Sequence, residues 1–332
     1  MTLQNKSIKI FLNRILGPIL FIWLGSSIYK QIIHQPNLQE SVGYMKEALT
    51  GSYAWRFWLV IILMGANWLI EARKWQVLMM PLQQISLWHS FKGTLAGVAL
   101  GLNTPNRIGE YGGRMLYVEE GKRSKSVSLT VIGGLSQLIV TLMLGSIGLL
   151  LQEINISPLA GSYTSSPAWM TILKWGVVML SITVIVFYFR LGWVVKCCEL
   201  LNLRGKWVSY VHILRELDVT ILLRVLALSA CRYLVFVYQY ILLLQIMHVN
   251  IGVMDAFWLI SILYLILALA PTIALLELGL RGQVAIVLFG LYSENVLGIY
   301  AASTGVWLVN LILPALAGCL LITSLKIFNV RQ

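Results

Sequence analysis

Apolar runs recur along nearly the whole chain, with short polar stretches between them. At about 20 residues per crossing they leave room for about seven to nine membrane segments. The first run is roughly Ile10 to Tyr29, preceded by Lys6 and Lys9 with Arg14 in its first turn. Gly25-Ser26-Ser27 is a poor match to a signal-peptide cleavage site, so this run reads as an uncleaved first helix. A second run extends from Ala54 to about Ile70 and ends in Glu71-Ala72-Arg73-Lys74-Trp75, a basic, aromatic end suited to a solvated cytoplasmic interface. Strong spans follow from Ser126 to Leu151, Met170 to Phe189, Val219 to Met247 and Val296 to Thr323.

Two stretches break this pattern. Trp88 to Leu102 is short for a crossing, contains Gly93, Gly97 and Gly101, and stops at Asn103-Thr104-Pro105-Asn106. Ala256 to Ala270 is cut at Pro271 and continues through Glu277 and Arg281 to a short apolar piece, Val284 to Tyr292. The positive-inside rule puts loops 72–92, 107–125 and 190–218 and the C-terminus in the cytoplasm. Loops 152–168 and 248–255, free of Lys and Arg, fall outside. The first broken segment then has cytoplasmic flanks on both sides. The second lies between an outside loop and the acidic Ser293-Glu294-Asn295. Two interrupted segments of opposite orientation are what inverted repeats produce, here halves 1–165 and 166–332 of a single membrane domain 1–332, and such pairs point to a transport site. The expected fold is an all-α polytopic membrane protein with about six full spans and two re-entrant or broken helical hairpins.

Composition supports this class. The chain is 58% hydrophobic and 11% charged, against roughly 25% charged in soluble domains, which excludes a soluble globular enzyme. A net charge of +12 would suggest nucleic acid in a soluble protein. Here it sets cytoplasmic loops against anionic membrane lipids, and no nucleic acid is expected as a partner. The basic amphipathic stretch Lys196 to Leu217 suits the inner leaflet. Cys197, Cys198, Cys231 and Cys319 show no paired spacing, so a disulfide framework is not expected. The His residues are scattered, with no metal-ligand cluster, and no cofactor is expected.

Charges at membrane depth carry the candidate chemistry. Glu110 and Arg114 are spaced i, i+4, as are Glu277 and Arg281, and Arg107 extends the first face. Both Glu-x-x-x-Arg motifs enclose a glycine and begin five or six residues after Pro105 or Pro271. Pro105, Gly109, Pro271 and Gly279 are the expected helix breaks. On one reading each pair only neutralises itself. On the other, Arg107, Arg114 and Arg281 meet an anionic group in bidentate fashion, and the glutamates accept an ammonium, hold the arginines or carry a proton. Arg232 lies near the middle of the sixth span with no acidic residue within a helical turn, so its partner must come from elsewhere, Glu110 or Glu277 first, unless it snorkels to an interface. Asn67, Gln137 and Gln239 read as interhelical hydrogen-bonding residues. Trp55, Trp58, Trp75, Trp88, Trp169 and Trp175 read as interfacial anchors.

The run Gly97 to Arg114, which contains Asn103-Thr104-Pro105-Asn106-Arg107-Ile108-Gly109-Glu110-Tyr111-Gly112-Gly113-Arg114, together with Pro271 to Gly282, resembles the flippase-like membrane domain of the lysylphosphatidylglycerol synthase family. The resemblance implies re-entrant helices that move a glycerophospholipid between leaflets. Bifunctional members of that family carry a soluble domain that attaches lysine; this chain ends at Gln332 just after the last span, so lysyl transfer is not expected. The second-half motif is the looser match, with Glu277 ahead of Gly279 and Arg281. The expectation is a non-enzymatic transporter of the bacterial cytoplasmic (inner) membrane, with both termini cytoplasmic. A phospholipid or lipid-linked anionic compound would be bound by Arg107, Glu110, Arg114, Arg232, Glu277 and Arg281, and homo-oligomerisation is left open. The alternatives are a membrane enzyme or enzyme subunit acting on lipid-linked precursors, with Glu110 as general base, and a non-transporting partner protein.

Overall fold

The computed structural model describes residues 51, 54–102, 104, 107–152, 167–193, 196, 212–270 and 274–323. Among these residues there are ten α-helices and no strand: α1 (Ala54–Met79), α2 (Leu87–Gly101), α3 (Gly109–Met115), α4 (Arg123–Leu151), α5 (Pro167–Phe189), α6 (Val219–Ile246), α7 (Val253–Leu269), α8 (Ala274–Phe289), α9 (Val296–Trp307) and α10 (Leu313–Thr323). The expected first span and residues 197–211 of the amphipathic stretch lie outside the described residues.

Among the described residues, five stretches are long and apolar enough to cross a membrane: Ala54–Met79, Glu120–Leu151, Thr171–Phe189, Val219–Ile246 and Val296–Ile322. They coincide with five of the runs anticipated above. The chain is an all-α polytopic membrane protein. The outer faces of these helices present large apolar side chains, such as Ile62, Ile172, Met179, Leu223 and Leu320, as a lipid-facing surface requires. Trp55, Trp58, Trp88 and Trp175 are exposed among them, but Trp75 is fully buried and its indole N–H donates to Thr130 Oγ1 at 3.2 Å. Trp75 is therefore a core residue, not an interfacial anchor. The reason is that α1 runs on to Met79, well beyond the apolar run, and carries Trp75 inward.

The last span is one helical rod with a π-helical segment, Leu308–Ile312, between α9 and α10. Pro314 has no N–H for the carbonyl four residues back, and its ring crowds that carbonyl. The wider turn just ahead of it absorbs both defects.

The two broken stretches are helical hairpins. α2 starts at Ser86, whose hydroxyl accepts the His89 N–H at 3.2 Å, and α3 folds back along it. Glycine makes this contact: a Cβ on Gly109 would fall 2.1 Å from the Leu100 carbonyl oxygen, and one on Gly113 2.4 Å from that of Ala96. At the turn the Thr104 hydroxyl donates to the Gly101 carbonyl at 2.9 Å and accepts the Gly109 N–H at 2.8 Å. Pro105 itself lies outside the described residues. In the second hairpin α7 ends at Leu269 and α8 begins at Ala274, ten residues ahead of the expected apolar piece. Pro271 lies outside the described residues. Gly279 sits inside α8 and breaks nothing; one helical glycine costs only about 1 kcal/mol against alanine, which packing offsets.

α1 packs along α6. α4 runs against α7, and α10 runs against α2, so each hairpin is covered by the span that follows the other hairpin. Small residues allow the close approach: Gly145 and Gly148 of α4 face Leu265 and Ile262, and Gly318 of α10 lies against the Leu95 carbonyl.

Candidate functional site

The charges anticipated at the hairpins and in α6 resolve into two adjoining groups. The first is a buried ion-pair node around Glu71. Its Oε2 lies 2.7 Å from Lys74 Nζ and 3.2 Å from Arg232 Nη1, and its Oε1 lies 2.8 Å from Arg114 Nη2. Glu110 Oε2 stands further off, 3.8 Å from Arg114. Glu71, Lys74 and Arg114 are almost wholly buried. The carboxylate joins three elements, because Arg114 belongs to α3 and Arg232 to α6. A solvated interface for Glu71 is therefore corrected: the i, i+3 spacing turns Glu71 and Lys74 together into the protein, while Arg73 remains exposed beside Gln76. Charges buried this deeply persist only when each meets an opposite charge.

The second group lines a cavity of about 470 Å³ next to the node. Its charged members among the described side chains are Arg107, Arg232 and Arg281. Gln137, Arg232 and Asn310, all on the wall, lie close to the middles of α4, α6 and the last span. Arg107 is delivered by the turn of the first hairpin, where it adopts a left-handed backbone with φ 56°, a conformation that costs a non-glycine residue about 1–2 kcal/mol. Arg281 projects from the second hairpin with its guanidinium 5.9 Å from the centre of the Tyr264 ring. Arg232 links the two groups. It sits 5.2 Å from the Trp68 ring and 5.0 Å from that of Phe236, and Nη1 donates to Gln137 Oε1 at 3.5 Å as well as meeting Glu71.

Three of the six anticipated binding residues, Arg107, Arg232 and Arg281, thus share one wall. Arg114 does not: it turns away from the cavity into the node. Glu110 is not on the wall either, and the Glu277 side chain lies outside the described residues. The partner of Arg232 is Glu71 rather than Glu110. Asn67 donates to Asn310 Oδ1 at 3.2 Å and Gln239 to the Val60 carbonyl at 2.9 Å, both between helices as anticipated. Sequence reasoning missed Glu71, Lys74, Trp68, Trp307 and Asn310. The signal available for the first two was the apolar run Val77-Leu78-Met79, which shows that α1 has not yet ended at Glu71.

A family model described as the lysylphosphatidylglycerol synthase TM region matches residues 39–318, a range that contains both hairpins and every residue of the cavity wall. The chain belongs to this family. A search of curated proteins finds no match. Within the family region the wall offers guanidinium groups in a helical membrane domain, an arrangement chemically suited to oxyanions, since the planar guanidinium fork matches two oxygens of a phosphate or carboxylate.

Proposed function

We propose that the protein moves a lipid headgroup between the leaflets of the bacterial cytoplasmic membrane through this cavity, and that it is a transporter rather than an enzyme. The observation that carries the reading is the meeting of Arg107 from one hairpin and Arg281 from the other with mid-helix Arg232 around one cavity. A phosphate taken unaided into hydrocarbon loses its hydration at a cost of order 20 kcal/mol; fixed guanidiniums at mid-depth replace that hydration. The acyl chains would stay in the bilayer while the headgroup passes.

In this reading both hairpins are re-entrant. α2, α7 and α8 have 15, 17 and 16 residues, fewer than the about 20 a crossing needs. The order long helix, hairpin, long helix occurs twice, and each hairpin packs against the closing span of the other set. This supports inverted repeats 1–165 and 166–332, an architecture that places the substrate between the repeats. The basic loops keep both termini cytoplasmic. Glu110, which an enzymatic reading needs as a general base, faces Arg114 and not the cavity.

Vesicles reconstituted with the protein should expose inner-leaflet fluorescent phosphatidylglycerol to dithionite faster than empty vesicles. Arg232→Ala or Arg281→Ala should slow this by about tenfold or more, the loss of one or two charge-assisted hydrogen bonds. Rates equal to those of empty vesicles across several lipid classes would refute the proposal.

A further inference from the structure

Arg232 belongs both to the Glu71 node and to the cavity wall; Lys74 and Arg114, the other cations on Glu71, do not line the cavity. Arg232 is also the loosest of the three. Lys74 Nζ and Arg114 Nη2 stand 2.7 and 2.8 Å from the carboxylate on side chains 2% and 5% exposed, whereas Arg232 Nη1 stands at 3.2 Å on a side chain 13% exposed. The same nitrogen is shared with Gln137 Oε1 at a long 3.5 Å, and the buried Nε has no hydrogen-bond partner among the described residues. A guanidinium carries five N–H donors, so these contacts leave it short of the bonds it is able to make. The ion pairs of the node are uneven as well: Glu71 and Glu110 face Lys74, Arg114 and Arg232, two carboxylates against three cations. With Arg232 turned away, two would face two, the condition under which buried charges persist best. Arg232 is the surplus cation, and an oxyanion in the cavity is the partner that would draw it.

From this we infer that Glu71 is a positioning residue for headgroup binding: it competes with the headgroup phosphate for Arg232 and so sets how tightly the cavity grips. The inference rests on the lipid-transport reading above. A phosphate and a carboxylate ask for the same guanidinium fork. Between substrates Glu71 keeps Arg232. When a phosphate enters, Arg232 leans to it while Glu71 retains Lys74 and Arg114, and on release the carboxylate takes the guanidinium back. A transport site has to bind well enough to admit its substrate and weakly enough to let it leave. The carboxylate behind Arg232 supplies the second condition.

The full chain in detergent is titrated with phosphatidylglycerol and the retained lipid read by native mass spectrometry, while lipid movement is read in vesicles with dithionite. Glu71→Gln should tighten retention by about tenfold, the strength of one charge-assisted hydrogen bond, and should slow movement. Glu71→Gln combined with Lys74→Met keeps the net charge of the node and should show the same tightening, so the result depends neither on the stability of the single variant nor on a change in the surrounding field. In an Arg232→Gln background, Glu71→Gln should change retention by less than about twofold. A purely structural Glu71 would alter the amount of folded protein and leave its affinity as it was. Unchanged or weaker retention in the double variant overturns the inference, as does a gain that survives in the Arg232→Gln background, which would not act through Arg232. Free glycerol 3-phosphate retained as strongly as the lipid would overturn the lipid as the source of the phosphate. Tighter retention in variants of a protein that moves no lipid would sink the transport reading alone. Lipid movement by the wild type with no change of affinity in the variants would sink the role of Glu71 alone.

Discussion

Glu71 holds α1, α3 and α6 together through one carboxylate, with Lys74, Arg114 and Arg232 all within 3.2 Å of it. Removing its charge leaves three buried cations facing one another, with Glu110 3.8 Å from the nearest. Breaking a buried pair from one side costs about 3–5 kcal/mol. Glu71→Gln should therefore lower the thermal midpoint in detergent by several degrees. Adding Lys74→Met should recover part of the loss, because the double change removes one cation along with the anion. A midpoint within a degree of wild type for Glu71→Gln alone would mean that the node does not hold the helices. Nothing local in Glu71-Ala72-Arg73-Lys74 marks this role. The i, i+3 face was legible, but the partners Arg114 and Arg232 lie far along the chain.

The hairpins show which elements local chemistry defines well. Gly-rich α2, the Thr104 turn and the short α3 follow from glycine spacing and an abrupt polar stop, and both were visible in the chain. Their backbone contact makes a sharp test. A Cβ on Gly113 meets the Ala96 carbonyl oxygen at 2.4 Å and the Gly97 Cα at 2.5 Å, whereas one on the adjacent Gly112 meets nothing within 4 Å. Gly113→Ala should cost about 1–3 kcal/mol, the usual penalty for overpacking, and move Arg107 and Arg114 together. Gly112→Ala should be neutral or slightly stabilising, since alanine is the better helix former. Equal midpoints for the two variants would contradict the α2–α3 contact. The second hairpin was less legible. Glu277, Gly279, Arg281 and Gln283 interrupt the apolar pattern ahead of Val284, where α8 is already helical and packs on α7 and α9.

Across the whole molecule, the proposed inverted repeat predicts that the two hairpins open to opposite sides of the membrane. With the four native cysteines replaced by serine, Gln84→Cys and Glu120→Cys flank the first hairpin, and Met254→Cys and Glu294→Cys flank the second; all four positions are exposed. An impermeant maleimide should label the first two only from the cytoplasmic face and the last two only from the opposite face. Labelling of Gln84→Cys and Glu120→Cys from different sides would make the first hairpin a crossing and end the inverted-repeat account. Five of the spans, the two interruptions and the family were determined by the sequence itself, because helix length and glycine and proline placement act within one or two turns. Which charges share a site was decided only by the tertiary structure. Arg114 turned from the cavity to Glu71, Arg232 found Glu71 rather than Glu110, and Trp68, Trp307 and Asn310 joined the wall. Spacing along a helix fixes the face a side chain occupies, but the neighbour that face meets depends on how distant helices pack.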